Sequence, residues 1–352
     1  MNKQINFVLF YALFCFIYIF PEGSAVKASH RQQHNNSVKL FAFGDSYADT
    51  GNWEKPAISW KEPYGITFPG KPAGRFSDGR ILTDYLASNL GIKSPEPYQR
   101  WKSRKGSRLQ FGMNFAYGGT GVFDTLNNAP KMATQINFFQ QLLEEKVYTK
   151  QDLKFSVAFV SVAGNDYNTY LYKNGALEDM SNFTASLIKQ LSTNLKRIHG
   201  LGVQKVAVTS LQPIGCLPEL AASSSYQNCS ESLNAASEFH NLILQQAVQK
   251  LNNESQKHVV YEILDLYSAF MSAFSEARRT AAGSLNYGSP LKPCCRGVSR
   301  DYSCGDVDKN GAKKYEVCDN PELSVFWDMV HPSQNGWHLV YLALQPSLHR
   351  LS

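Results

Sequence analysis

Four short runs of apolar residues recur along the chain, each nearly continuous rather than alternating with polar positions. The runs cover residues 40–43, 155–162, 205–211 and 258–264. Continuous apolar runs of this length are typical of parallel strands that are covered on both faces. The pattern therefore predicts a buried parallel sheet.

The segments between these runs show helical spacing of apolar positions. In residues 182–199, Leu187, Leu191 and Leu195 recur every four residues, and Gly200 marks the end of the stretch. Further amphipathic stretches cover residues 81–90, 133–146 and 231–251. Alternating strands and helices predict an α/β fold, with helices on both sides of a parallel sheet and right-handed crossovers.

Two long segments lack this periodicity. Residues 54–80 are rich in proline and glycine, and residues 283–321 are rich in cysteine. Long ordered loops are more often functional than idle. We expect the first segment either to form the rim of a substrate pocket or to act as a structural cover. The aromatic residues around it suit an apolar ligand or ordinary loop packing equally well, and are Trp53, Trp60, Tyr64, Phe68 and Phe76.

The first residues resemble a targeting segment rather than part of the fold. Lys3 precedes an apolar stretch over residues 7–20, which is short for a bilayer-spanning helix of about 20 residues. Small residues then offer a cleavage site after Ala25, with Ala28 as a second candidate. We therefore predict a signal peptide over residues 1–25 and a single domain over residues 26–352. The protein is expected to be secreted to the cell wall or apoplast without a stable membrane anchor.

Cysteine usage agrees with an oxidising compartment. Six cysteines remain outside the predicted signal peptide, and we expect two or three disulfides. Cys216 with Cys229 is the favoured pair, while the other four crowd into residues 283–321. A zinc site is disfavoured there, because no paired CxxC spacing or interleaved histidine occurs. Acceptor triplets for N-glycosylation occur at Asn35, Asn182, Asn228 and Asn253.

The net charge of +6 is mild, but basic residues cluster around Trp101. The cluster consists of Arg100, Lys102, Arg104, Lys105 and Arg108. Nucleic acid is an implausible partner for a secreted protein. The cluster is either a solvated loop, which we favour, or a surface for weak association with acidic cell-wall polysaccharide.

Three residues form a candidate set for nucleophilic catalysis. Ser46 follows the first apolar run after Gly44, at the edge where open α/β sheets place their chemistry, and we expect a helix after it. Asp328 and His331 are three residues apart, and a helical turn would bring both side chains to one face. Asp328 would then orient His331, which would accept the proton of Ser46. Alternatively, Ser46 merely caps the next helix, and the Asp–His pair is a surface cap.

A serine hydrolase also needs donors for the oxyanion formed at the attacked carbonyl. The glycine-rich residues 114–121 offer backbone N–H groups, and Asn165 follows the second apolar run. The glycine spacing does not fit a dinucleotide-binding fingerprint, and no Walker-type lysine follows. No second histidine–carboxylate cluster favours a metal site, so we expect neither a metal nor another cofactor.

The chain resembles plant-type GDSL esterase/lipases of the SGNH hydrolase superfamily. All four motif blocks occur in order: residues 44–46, Gly118 with Gly119, residues 164–166, and residues 328–332. Residues 75–80 and 215–218 extend the match over essentially the whole predicted mature chain. One departure is Tyr47, where the motif that names the family has leucine, and this change should affect local packing more than mechanism.

The resemblance implies a three-layer α/β/α sandwich around a flavodoxin-like parallel sheet. It also implies a nucleophile at Ser46, a base at His331 and an orienting carboxylate at Asp328. The implied oxyanion donors are the backbone amides of Ser46 and Gly119 and the side chain of Asn165. Gly119 is favoured over Gly118 because of its position relative to Asn114 in the motif.

The expected activity is hydrolysis of small-molecule or lipid esters through an acyl-enzyme. Three alternatives stay open at this stage. The first is a classical α/β-hydrolase. It is disfavoured because that fold separates its acid from its histidine by more than the three-residue spacing of Asp328 and His331. The second is an acyltransferase with the same acyl-enzyme. The third is a secreted lipid- or carbohydrate-binding protein with a vestigial site.

Overall fold

The computed structural model describes residues 38–104, 109–255, 259–281 and 289–351. The strands found in these residues are β1 (Lys39–Gly44), β2 (Glu96–Pro97), β3 (Gly112–Asn114), β4 (Ser156–Ser161), β5 (Lys205–Thr209), β6 (Tyr261–Leu264), β7 (Cys295–Gly297) and β8 (Tyr315–Val317). The α-helices are α1 (Leu82–Asn89), α2 (Tyr98–Arg104), α3 (Met132–Glu144), α4 (Lys150–Leu153), α5 (Gly164–Tyr172), α6 (Met180–Gly200), α7 (Pro218–Ala221), α8 (Glu231–Glu254), α9 (Leu266–Ala281) and α10 (Gln334–Leu348).

Six of the strands form one parallel sheet in the order β2-β3-β1-β4-β5-β6. Apart from the short β2, this is the strand order of a flavodoxin-like sheet. The order reverses at β1, which lies between β3 and β4. Ligand sites in such sheets lie at the carboxyl ends of the strands beside this reversal. The residues that follow β1 therefore occupy the expected place for a site.

The side chains of β1 divide between two cores on opposite faces of the sheet. Phe41 and Phe43 pack in one core, together with buried side chains of α3, α6 and α8. Leu40 and Ala42 pack in the other, together with those of α1, α9 and α10. Both faces of the strand are fully covered, which explains its continuous apolar run. The protein is thus a three-layer α/β/α sandwich, as predicted.

The predicted strands and helices correspond to elements of this sandwich. The four apolar runs contain β1, β4, β5 and β6, and the four amphipathic stretches match α1, α3, α6 and α8. Among the elements that the pattern missed are β2, β3, α2, α4, α5, α7 and α9. The pattern also missed β7 and β8, an antiparallel pair within the cysteine-rich segment.

The cysteine-rich segment supports the loop that carries Asp328 and His331. The predicted bond between Cys216 and Cys229 is present, and two further bonds are Cys294–Cys318 and Cys295–Cys304. The backbone N–H of Cys294 donates to the carbonyl of Phe326 at 3.0 Å, and that of Cys295 donates to Trp327 at 2.6 Å. These disulfides therefore lie directly against the start of the loop.

Several sequence predictions concern the surface or the start of the chain. Asn182, Asn228 and Asn253 are exposed, whereas Asn35 and the predicted signal peptide lie outside the described residues. Arg100, Lys102 and Arg104 lie on α2, where Arg100 forms an ion pair with Glu96 at 3.0 Å, while Lys105 and Arg108 lie outside the described residues. The ring of Trp101 packs against the first core. Within the described ranges, no helix combines the length and apolar character needed to cross a membrane.

Candidate active site

Ser46 follows β1 on a tight turn that requires glycine at residue 44. Gly44 has a φ of +136°, and a Cβ atom there would overlap the carbonyl oxygen of Ser161. The sequence predicted a helix after Ser46, but a single turn follows. The side chains of Asp45 and Asp49 accept N–H groups of the residues just after them, and such local bonds favour turns over helices.

Asp328 and His331 lie on a tight loop rather than on the helical turn that their spacing predicted. Phe326 and Pro332 form an antiparallel bridge that closes the loop. The backbone N–H of Trp327 donates to the carbonyl of His331 at 2.7 Å. Inside the loop, Oδ1 of Asp328 accepts from the backbone N–H of His331 at 2.7 Å. The two side chains are therefore held together by the loop's own backbone.

Ser46, His331 and Asp328 form a continuous chain of hydrogen bonds. Nε2 of His331 lies 2.8 Å from Oγ of Ser46, and Nδ1 lies 2.9 Å from each carboxylate oxygen of Asp328. All three residues are less than 10% exposed. With a proton on Nδ1 facing Asp328, Nε2 is free to accept the hydroxyl proton of Ser46.

Tyr64 adds a fourth member to this chain. Its hydroxyl donates to Oδ2 of Asp328 at 2.6 Å, and its side chain is 1% exposed. Burial and the adjacent carboxylate raise the pKa of Tyr64 well above its usual value, so the phenol remains a donor. Burial alone would raise the pKa of Asp328. The pKa of Asp328 nevertheless lies below its usual value, because interactions with His331, the Tyr64 hydroxyl and the N–H of Val330 outweigh the effect of burial.

The imidazole of His331 contacts two aromatic rings. The ring centroids of Phe76 and Tyr47 lie 5.0 Å and 6.0 Å from that of His331. The Tyr47 hydroxyl also donates to the carbonyl of Val330 at 2.9 Å, a bond that leucine could not make. Tyr47 therefore ties the turn of Ser46 to the loop of His331 as well as packing locally.

Ser46, Gly119 and Asn165 all line one pocket. Among the described residues, the N–H groups of Ser46 and Gly119 have no acceptor, whereas that of Gly118 donates to Oδ2 of Asp49 at 3.0 Å. Nδ2 of Asn165 donates to the carbonyl of Thr120 at 3.0 Å, which leaves its second hydrogen for another acceptor.

Three buried carboxyl groups surround these segments. Burial raises the pKa of Asp45 to about 7 and those of Asp49 and Asp166 to about 6. Asp166 accepts the N–H groups of Val122 and Phe123, just after the glycine-rich turn. Asp49 accepts four N–H groups, those of Gly51, Asn52, Trp53 and Gly118. These carboxyl groups fix the backbone around the site.

The pocket has a volume of about 440 Å³ and mostly apolar walls. Ile58 and Phe76 line it from the irregular segment, and Trp53 lines it from the position just before that segment. The other apolar residues of the lining include Leu171, Ile214, Leu217, Leu220 and Leu233. The segment 54–80 therefore contributes to the pocket, and through Tyr64 it also supports the loop of His331.

The structure brings the five candidate catalytic and oxyanion-hole residues to this one place, but sequence reasoning missed several supporting residues. The sequence places Tyr64 only among the aromatic residues of the irregular segment, and it predicts that Tyr47 affects local packing more than mechanism. Asp49 had a usable signal, since an aspartate two residues before Gly51 often forms a local turn. Among the described residues, no group of three or more histidine, cysteine or acidic side chains is arranged to hold a metal ion.

Comparison with known proteins identifies the family of this chain. A family model described as GDSL-like Lipase/Acylhydrolase matches residues 40–344. The chain is 52% identical over 349 residues to GDSL esterase/lipase At5g03610 of Arabidopsis thaliana, covering 97% of this chain and 96% of that protein. It is 47% identical over 342 residues to GDSL esterase/lipase At3g09930 of the same plant, covering 95% and 96%.

Similarity to solved structures is lower. An alpha/beta hydrolase enzyme from the metagenome of Lake Arreo, Spain, is 13% identical with a TM-score of 0.40, covering 89% of this chain and 96% of that one. That similarity is too low to support an argument. The family match spans most of the chain and the Arabidopsis relatives are similar over nearly their full length. The chain therefore belongs to the GDSL-like lipase/acylhydrolase family and is a hydrolase that acts on ester bonds.

Proposed function

We propose that the protein hydrolyses carboxylic esters through an acyl-enzyme on Ser46, with His331 as general base and acid and Asp328 as its orienting carboxylate. The observation that carries the proposal is the hydrogen-bond chain from Oγ of Ser46 through both ring nitrogens of His331 to Asp328. This is the arrangement that activates a serine hydroxyl in other hydrolases.

The reaction proceeds in two acyl transfers. Nε2 of His331 takes the hydroxyl proton as Oγ of Ser46 attacks the ester carbonyl carbon. The resulting oxyanion accepts hydrogen bonds from the backbone N–H groups of Ser46 and Gly119 and from Nδ2 of Asn165. His331 then protonates the leaving alcohol, and a water molecule deprotonated by His331 releases the acid from Ser46.

The preferred substrates are neutral esters with an apolar acyl chain or ring. The pocket walls are largely aliphatic and aromatic, and they offer burial to such groups. In the described part of the chain, Glu219 lines the pocket and no lysine or arginine does, while burial raises the pKa of Asp45, which also lines it, to about 7. A negatively charged substrate would therefore meet like charge without a compensating cation.

Paired ester substrates test this preference. We expect p-nitrophenyl butyrate to be hydrolysed with a kcat/KM about tenfold or more above that of mono-p-nitrophenyl succinate, which adds a carboxylate at similar length. The Glu219→Gln variant should narrow the gap. Equal rates for the two esters in the wild-type protein would contradict the assignment of a neutral substrate.

The nucleophile is tested with Ser46→Ala. This variant should lose both p-nitrophenyl butyrate hydrolysis and labelling by a fluorophosphonate probe, whereas Ser223→Ala, at an exposed position, should retain both. Activity that persists in Ser46→Ala would overturn the mechanism.

Adding an acceptor alcohol and identifying the product distinguishes hydrolysis from acyl transfer, because transfer yields a new ester instead of the acid.

The oxyanion donor is tested on α5. Asn165→Ala should lower kcat by about 10²–10³ with little change in KM, because the lost donor acts mainly in the transition state. Asn168 lines the same pocket from the same helix but is exposed, so Asn168→Ala is the matched control. Equal kcat values for the two variants would remove Asn165 from the oxyanion hole.

The proposed location is extracellular, in the cell wall or apoplast. Three disulfides support it, because such bonds persist mainly in oxidising compartments. Exposure of Asn182, Asn228 and Asn253 is compatible with glycosylation. The full chain expressed in plant cells should appear in the apoplastic fluid with a mass that falls on treatment with an N-glycosidase. Retention inside the cells would contradict the proposal.

Weak binding to acidic wall polysaccharide is a separate proposal. It is tested by whether the protein is retained on a polygalacturonate column.

A further inference from the structure

The three proposed oxyanion donors belong to three separate segments of the chain. Ser46 follows β1, Gly119 follows β3, and Asn165 lies in the first turn of α5. An oxyanion hole works only when its donors lie about 2.7–3.1 Å from the developing charge. The spacing of the three segments must therefore be fixed by groups outside the pocket.

Gln135 of α3 contacts the first of these segments directly. Its side chain is 0% exposed, and Oε1 accepts the N–H of Gly44 at 2.8 Å. Nε2 donates to the carbonyl of the same Gly44 at 2.9 Å and to that of Pro130 at 2.9 Å. The amide of Gln135 thus brackets the residue that begins the Ser46 turn.

Thr120 joins the same amide to the other two segments. Its Oγ1 lies 3.2 Å from Nε2 of Gln135 and 3.0 Å from the carbonyl of Gly44. Its backbone carbonyl accepts the bond from Nδ2 of Asn165 at 3.0 Å. Thr120 also directly follows Gly119 in the chain. One buried residue therefore contacts or adjoins all three segments.

Packing alone does not account for Gln135. The other buried positions of α3 are apolar, namely Met132, Ile136, Phe139 and Leu142. A buried amide is costly unless its polar atoms are bonded, and methionine would fill a similar volume without that requirement. Fully bonded buried networks make a structure rigid and unique. The bonds of Gln135 end at the segments of the site.

We propose that Gln135 and Thr120 are positioning residues that fix the spacing of the oxyanion donors. Gln135 holds the Ser46 turn through Gly44. Thr120 holds Asn165 through its carbonyl and connects Gly119 to the amide of Gln135. This inference rests on the proposed function for the identity of the donors, but it assigns a role to two residues that do not touch the substrate.

Two pairs of variants test the proposal in the full chain with p-nitrophenyl butyrate. Thr120→Val removes the hydroxyl and keeps the shape, whereas Thr120→Ser keeps the hydroxyl. We expect Thr120→Val to lower kcat about tenfold or more, and Thr120→Ser to stay within about threefold, with KM nearly constant in both. Gln135→Met should lower kcat by about 10–100-fold, since small displacements of donors have effects of this size.

Two further readouts separate positioning from general damage. The loss caused by Thr120→Val should be much smaller in an Asn165→Ala background, because the Thr120 carbonyl holds the same side chain that Asn165→Ala removes. The pH profile of kcat should keep its wild-type shape, because neither Gln135→Met nor Thr120→Val replaces a titratable group. Full multiplication of the two losses, or an altered pH profile, would overturn the proposal.

Folding and the proposed function are controlled separately. If Gln135→Met does not fold, judged by its circular dichroism, the comparison of Thr120→Val with Thr120→Ser decides. Equal kcat values in that pair refute the positioning role. Activity retained by Ser46→Ala would instead refute the proposed function, whatever the variants at Gln135 and Thr120 show.

Discussion

Removing the Tyr64 hydroxyl should weaken both the fold and the Asp–His pair. Tyr64→Phe keeps the ring, which packs against Trp327, but leaves Oδ2 of Asp328 without its 2.6 Å donor. Both Tyr64 and Asp328 are nearly inaccessible to water, so solvent cannot readily replace the bond. A hydrogen bond to a charged group contributes about 1.5–3 kcal/mol, so we expect the free energy of unfolding at pH 7 to fall by about 2 kcal/mol.

The effect should depend on pH in a defined direction. The pKa of Asp328 lies below its usual 3.8 in the folded protein, so its charged form stabilises the fold above that pH. This stabilisation disappears as the pH falls through the folded pKa. The difference between wild type and Tyr64→Phe should therefore be full at pH 7 and shrink below about pH 4. At neutral pH Asp328 stays ionised, and we expect kcat to fall only about tenfold.

Urea denaturation at several pH values and p-nitrophenyl butyrate kinetics measure these effects. Tyr85→Phe is the control, because its hydroxyl donates to the uncharged carbonyl of Gln334 at 3.1 Å. That variant should lose about 1 kcal/mol of stability without pH dependence and keep its kcat. The reasoning is refuted if Tyr64→Phe shows the same pH-independent loss as Tyr85→Phe and an unchanged kcat.

Three other outcomes are expected. Tyr47→Phe loses the hydrogen bond to the Val330 carbonyl but keeps the ring beside His331, so kcat should fall about two- to tenfold at constant KM. An unchanged kcat would show that this hydrogen bond does not contribute to catalysis. Burial lowers the pKa of His240 to about 3, so the folded protein should lose stability as the pH falls from about 6.5 towards 3, by about 3 kcal/mol between pH 7 and pH 4. His240→Gln should flatten that part of the urea-denaturation profile, and parallel profiles would contradict the assignment. Replacing Cys216 and Cys229 by serine opens a loop whose ends are 13 residues apart, and it should lower the free energy of unfolding by about 3 kcal/mol. Calorimetry against the wild type measures this loss, and an unchanged free energy of unfolding would contradict the prediction.

The sequence predicted the main strands well because of how they are buried. β1, β4 and β5 are covered on both faces, so their apolar runs are continuous and conspicuous. β3 has three residues and β2 has two, too few for a pattern. α5 begins with Gly164, Asn165 and Asp166 and shows no clear apolar stripe. α9 did carry a usable signal, since Leu266, Phe270 and Phe274 recur every four residues.

The sequence indicated candidate site residues where residue type and spacing were informative. Ser46, Asp328 and His331 lie together as their residue types and spacing suggested, although the local backbone around them differs from the prediction. The partners of these residues were harder to foresee. No local pattern indicates that Tyr64 donates to a carboxylate 264 residues away. Gln135 is detectable in the sequence, because it is a polar residue within the apolar stripe of α3.

The distance of 285 residues between Ser46 and His331 has a consequence for the order of folding. Every strand of the large sheet has been synthesised by Leu264, together with the Ser46 turn and the Gly119 loop. The loop of His331 and α10, whose Trp337 packs in the second core, emerge after the whole sheet. Domains tend to fold as their chains emerge. The same later segment thus helps to cover the sheet and carries the proposed base, so esterase activity reports that this segment has docked.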